Sequence, residues 1–441
     1  MKKLLLIFWL CQACLLLNAQ YQTRVWDTNI KTLRIRQVQY DLTSRPYLVL
    51  GQEGTIDGTD DSNTLEISFD ELSHDIRQYS YTVKHLNADW KTSELSSFEY
   101  VRGFTTQDIT DYTTSNNTQQ VYTHYSFLFP NEDMQLIASG NYVVLIYEDG
   151  NPDQIRAQVC FSVVQPLVST EIQVRANTDI ELSGRYQQLN IDINTQHIQI
   201  NNPEEITLVV QQNGRRDNLS YGAKPNYMGN NHLQWKNNKS LIFEGGNEYH
   251  HFDAYSVYFA GTNIDRIVYD HNQYHALLMP DANRGVGGKQ GGEKMYDKTG
   301  VPYMHEYDSN GQFVVNAERC SDTDSEAEYL WVHWFLQTDE PIFGGSVYIG
   351  GDIFQNRMDN DNRMVYDNDL HGYYLTSFVK QGGYDYQYWF VPSGKKTATL
   401  QLTEGSHWET DNQYTVYVYF RPFGCRYDQL VGLQNLSSAA R

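Results

Sequence analysis

The sequence predicts an all-β protein built of tandem antiparallel sandwiches, and three observations carry that prediction. Aromatic residues make up 14% of the 441, with 34 tyrosines against 18 phenylalanines, a bias that suits half-buried pleated surfaces. Short runs alternate their side chains: residues 414–420 (YTVYVYF) put Thr415, Tyr417 and Tyr419 on one face and Val416, Val418 and Phe420 on the other, as a strand with one buried face requires. Turn-rich stretches such as GQEGTIDGTDDSN and NEDMQLIASGN separate these runs. No window of about a dozen residues carries the 3.6-residue period of an amphipathic helix.

Taken in order, residues 1–19 combine a basic start at Lys2 and Lys3, an apolar run from Leu4 to Leu17 and a small residue at Ala19. They read as a secretory signal cut before Gln20. The run is shorter than the roughly 20 residues that span a bilayer, so no direct membrane insertion is expected. Cys14 follows Cys11-Gln12-Ala13, a poor match to a lipidation site. Loss of Lys2 and Lys3 would take the formal charge from -21 to -23, which disfavours nucleic acid and anionic lipid as partners. Cys160, Cys320 and Cys425 would remain. An odd count allows at most one disulfide within the chain, and the spacing is too wide for a zinc knuckle. Cys160, in QVCFSVV, reads as a small buried side chain.

Strands are expected at 79–86 (YSYTVKHL), 142–148, 206–213, 327–336, 384–391 and 414–420. A strand ending at Pro166 would close an N-terminal immunoglobulin-like sandwich over 20–166. The glycine-rich segment 281–300 reads as a surface loop, and Asn310-Gly311 signals a hairpin. With a cut near Asp322, a middle sandwich would occupy 167–322 and a C-terminal one 323–441.

Several segments carry fragments of catalytic or binding motifs. GVGGK fails as a phosphate loop, since Asn283 and Gln290 stand where glycine and Ser or Thr belong. Tyr348 breaks a GxSxG elbow and Ser309 breaks HExxH. Asp89 with Glu94 or Glu99 could form the carboxylate pair of a glycosidase. A strand running into Asn87-Ala88-Asp89 instead makes Asp89 an Asx-turn acceptor, with Trp90 covering the core edge. Asp359, Asp361, Asp367 and Asp369 could offer oxygens to calcium, yet they lack the EF-hand glycine and glutamate and suit turns between strands. His250 and His251 would point to opposite faces of a strand, one packed and one at the surface. No catalytic, cofactor-binding or metal residue is assigned, and no cofactor is expected.

The segment HLNADWKTSELSSFEYVRGF (85–104), followed by 108–148, resembles the N-terminal domain of the plug proteins of the type IX secretion system of Bacteroidetes-type bacteria. NPEEITLVVQQNGRRDN, EGGNEYHHFD, YDSNGQF, VKQGGYDYQYWF and EGSHWETDNQYTVYVYFRPFGCRYDQLVGL continue the resemblance in order to about Leu433. His250, where arginine is expected, and the doubled Gly382-Gly383 depart from the pattern. The resemblance implies a periplasmic, non-enzymatic protein that docks on the inner mouth of a large outer-membrane β-barrel translocon and closes it when idle. Residues 346–378 also resemble the early-set immunoglobulin-like modules found beside starch-active enzymes. In such a module Trp331, Trp334, Tyr373, Tyr374 and Trp389 could stack sugars, so a glycan-binding protein is the alternative reading.

Overall fold

The computed structural model describes residues 20–39, 46–51, 54–286, 289–290, 293–294 and 300–439. The expected signal segment with Cys11 and Cys14, and Gly288 of the glycine-rich loop, lie outside them. The described chain is antiparallel sheet almost throughout, with the one-turn helices Ser97–Tyr100 and Thr323–Glu326. The first is set by a capping box in which Ser96 and Glu99 satisfy each other's amides. Among the described residues no helix is long and apolar enough to cross a membrane.

Three sandwiches are present. In the first, one sheet runs Arg24–Val25, Ile155–Val164, Gly140–Glu148, Tyr79–Leu86, Thr106–Ile109, with Tyr47–Val49 parallel to Ile155–Val164. The facing sheet runs Ile30–Gln37, Leu65–Glu71, Thr123–Phe129, Asp111–Thr114. Alternate residues of each strand, among them Phe69, Tyr81, Tyr125, Val144 and Phe161, close the core between them. Phe69 and Tyr125 stack at 5.3 Å, with Tyr79 edge-on to both.

The second sandwich pairs Ser169–Arg175, Tyr186–Asn194 and His232–Trp235 in one sheet and Ile206–Gln212, Gln413–Phe420 and Gln429–Ser437 in the other. Ile206 lies opposite Phe420 and Gln212 opposite Tyr414, so the chain's last two strands complete a sheet begun near residue 206. The third sandwich is therefore inserted into the second. Its sheets contain His250–Asp253, Gly382–Pro392, Phe313–Val315 and Gly345–Gly350 on one side. On the other lie Ile264–Asp270, Gln273–Leu278, Tyr329–Gln337, Gly372–Lys380 and Val365–Asp367.

The expected cut at Asp322 is crossed by this pairing. His250–Asp253 hydrogen-bonds to Gly382–Pro392, and Gln273–Leu278 to Tyr329–Gln337. Alternation in a sequence fixes which face of a strand is buried but not which strand lies beside it. The Asn310-Gly311 turn forms with both residues at positive φ, but no strand precedes it. The carboxylates of Asp308 and Asp385 take the amides of Tyr249 and Ser309 there, and Phe313–Val315 pairs with Gly382–Pro392 instead. The doubled glycine has a steric cause in that pairing. A Cβ on Gly382 would sit 2.2 Å from the Val314 carbonyl oxygen, and one on Gly383 2.5 Å from the Tyr255 hydroxyl.

Candidate functional site

Many of the charged groups of the described residues gather where the sandwiches meet. Between the first and third, Lys380 donates to Asp70 at 2.7 Å, and both side chains are essentially inaccessible. Asp70 also receives the Tyr329 hydroxyl at 2.7 Å and faces Nδ1 of His124 at 2.6 Å. Burial pushes the Asp70 carboxyl up, but Lys380 and His124 outweigh it and hold its pKa at about 2. Beside this centre Arg34 pairs with Asp324 at 2.5 Å, and the Lys380 ammonium lies 4.2 Å from the centre of the Tyr122 ring. Tyr122 in turn donates to the Ala327 carbonyl at 2.9 Å, and Glu328 accepts the amides of Gln119 and Gln120.

The other two junctions are built the same way. Between the first and second sandwiches, Ala88, Val164, Val209, Tyr419 and Leu430 form an apolar cluster. Tyr419 donates to Asn141 at 2.9 Å, and Asp428 exchanges hydrogen bonds with the 87–88 turn. Between the second and third, the buried Arg215 pairs with Asp217 at 2.8 Å and lies 4.5 Å from the centre of the Trp389 ring. Within the third sandwich, His250 sits between Asp281 at 3.1 Å and Glu404 at 3.2 Å, and Glu404 also receives Arg284. Burial and the Arg284 charge push the His250 pKa down, but the two carboxylates overcome both and raise it to about 9. Asp281 and Glu404 fall to about 2, against burial, through His250 and Arg284. His251, on the opposite face, bridges Asp385 at 2.7 Å and Asp253 at 2.8 Å. Those hydrogen bonds, working against partial burial, raise it to about 9 as well. Only Asp253 is near its histidine in sequence, two residues from His251; Glu404 lies 154 residues from His250 and Asp385 134 from His251, so the rest of the network carries no local signal.

The residues singled out by sequence take structural places. Asp89 accepts the Lys91 amide at 3.1 Å in an Asx turn, and Glu99 caps the one-turn helix while facing Arg426. Glu94 is exposed. Trp90 is only half-buried: its ring carries the Arg216 guanidinium at 3.8 Å, so it seals the junction with the second sandwich rather than the edge of the first core. Asp359 and Asp367 accept backbone amides of Asp361 and Asp369, with Asp359 also paired to Arg357 at 2.6 Å. Among the described residues no three His, Cys, Asp or Glu converge as a metal site. Cys160, Cys320 and Cys425 are free thiols, and Cys160 is half-buried beside the Arg216 and Trp90 pair rather than enclosed in a core.

The sugar-stacking platform is not assembled. Trp334 and Tyr373 point into the third core and Trp389 is sealed where the second and third sandwiches meet. Only Trp331 and Tyr374 reach the outer sheet face, where Trp331 packs on Phe378.

Comparison with known proteins adds a family and a structural relative. Residues 30–165 match the family described as type 9 secretion system plug protein, first domain. The crystal structure at 2.30 Å of a hypothetical protein from Parabacteroides merdae ATCC 43184 is 35% identical. The match covers 95% of this chain and 100% of that one, at a TM-score of 0.87. The B domain of a biofilm-associated protein aligns at 8% identity with a TM-score of 0.15, too low to indicate a shared fold. No curated protein matches the chain.

Proposed function

The chain belongs to the type IX secretion system plug protein family, and from that premise we propose that it docks on the periplasmic mouth of the large outer-membrane β-barrel translocon and closes the channel when idle. It is a stopper with no substrate and no turnover. The observation that carries this reading is the way the three sandwiches are fastened. One is inserted into another through two chain crossings, and every junction carries buried ion pairs or aromatic seals instead of a flexible linker. A body closing a wide pore must not bend, and large interfaces with desolvated partners resist the domain motion that is otherwise expected. Exposed aromatics such as Phe98, Phe343 and Phe423 offer the side chains that anchor protein interfaces. The envelope location follows from the family, and the basic-apolar leader of residues 1–19 supplies the route of export.

Gentle detergent extraction of outer membranes from cells carrying tagged protein tests this reading. A very large barrel should co-purify. Recovery of the tagged protein alone at every growth stage would refute it.

A further inference from the structure

The three sandwiches enclose a cavity of about 460 Å³ where they meet, within the range of sites that hold a ligand of several residues or a small molecule. Two open sheet edges border it. In the third sandwich, Phe313–Val315 is the outermost strand beside Gly382–Pro392. Gln312 accepts from the Asp385 amide and the Asn316 amide donates to Gln381, which puts residues 312, 314 and 316 in bonded register. By antiparallel alternation the N–H and C=O groups of Phe313 and Val315 point away from the sheet, and no strand among the described residues meets them. In the first sandwich, Ile30–Gln37 is likewise an outermost strand. Its pairing with Leu65–Glu71 uses Arg34, Arg36 and the Val38 amide, which leaves Ile35 facing outward.

An occupant that completes these outward-facing N–H and C=O groups must bring donors and acceptors spaced along an extended backbone. That requirement describes an extended peptide. Arg216, held on the Trp90 ring at the cavity wall, has no carboxylate partner among the described residues; an acidic side chain on the peptide would complete it.

We propose that this junction binds an extended peptide segment of a partner polypeptide, added as a strand to the open edges of the first and third sandwiches. Strand addition of this kind takes its affinity from main-chain hydrogen bonds and its selectivity from alternate side-chain pockets. The source of the segment, a polypeptide of the secretion machinery, rests on the plug reading; the slot itself does not.

The test pans a random-sequence decapeptide display library against the full mature protein and measures the selected peptides by titration and hydrogen exchange. The expected peptides carry an Asp or Glu and protect the amides of Phe313, Val315 and Ile35. Val315→Pro, which removes one open N–H on an edge strand, should weaken binding about tenfold by loss of a main-chain bond and its register. Val314→Trp, which fills the cavity, should abolish it, and unchanged thermal midpoints establish that both variants are folded. Where Val315→Pro fails to fold, Arg216→Gln takes its place and should weaken the acid-bearing peptides about tenfold, unchanged binding counting against the proposal. Failure to select any peptide, protection mapping elsewhere, or selected peptides that bind Val314→Trp at full strength would overturn the proposal. Barrel recovery is scored separately with the unaltered protein. Its loss would refute the plug reading alone, whereas equal recovery with Val314→Trp would overturn only the assignment of the segment to the machinery.

Discussion

Lys380 shows most plainly how single side chains hold this molecule together. An ammonium with no solvent contact is held by the Asp70 carboxylate 2.7 Å away, with the Asp324 carbonyl and the Tyr122 ring beside it; removing either ionic partner strands the other charge in a dry junction. Lys380→Met should therefore cost about 3–5 kcal/mol in chemical denaturation. The double variant Asp70→Asn with Lys380→Met should recover part of that loss, because no net charge is left behind. The His250 network makes a prediction about pH. The folded histidine titrates near 9 against an ordinary 6.5, so its stabilisation is fully present below 6.5 and is lost as pH rises through 9. Asp281 and Glu404, held near 2, stabilise above their ordinary values of 3.8 and 4.5 and lose that contribution as pH falls toward 2. The contribution of this network to the urea midpoint, read as the difference from a variant lacking His250, should thus be flat from about pH 4.5 to 6.5 and decline toward 9. His250→Gln should flatten part of the alkaline decline, the remainder belonging to His251, which titrates in the same window. Trp90→Ala should cost only about 1–2 kcal/mol by thermal melt, since the ring is half-buried and its main partner is the Arg216 cation. Neither of the first two networks was legible in the sequence. A lone aspartate at 70 and a lysine at 380 carry no mutual signal, whereas the Asx turn at Asp89 was legible because its partner is two residues away.

Among strands, what could be read was whatever depends on neighbours in sequence. The run 79–86 forms as expected, and 206–213, 384–391 and 414–420 are strands within a residue or two of their expected ends. What could not be read was the pairing of Ile206–Gln212 with Gln413–Phe420, because consecutive strands usually neighbour each other and the alternation is identical for any partner. The interrupted second sandwich gives a direct prediction. Removing residues 410–441 deletes two of the strands over Leu208, Val210 and Trp235, so the truncated protein should lose amide protection throughout 169–244. An isolated fragment 246–407, which keeps the third core with Trp334, Tyr384 and Tyr386, should still melt cooperatively by circular dichroism. Retained protection across 186–194 in the truncated protein would show that the terminal strands are dispensable.

The described residues form three sandwiches clamped into one body, and the proposed stopper role rests on that stiffness. Family membership was visible in the chain because the turn and crossover at 85–104 are distinctive, and the matched region 30–165 spans them. Which surface meets a partner was not visible, because an exposed aromatic and a junction aromatic look alike in sequence. Trp389, offered as a sugar platform, is sealed at 0% exposure, while Phe423 stands fully in solvent. Closure of the channel is the central claim, and ion conductance through the purified barrel in a planar bilayer measures it most directly. Protein added to the periplasmic side should drive the current to the bilayer baseline and its removal should restore it, while current that stays unchanged with the protein bound would contradict the account.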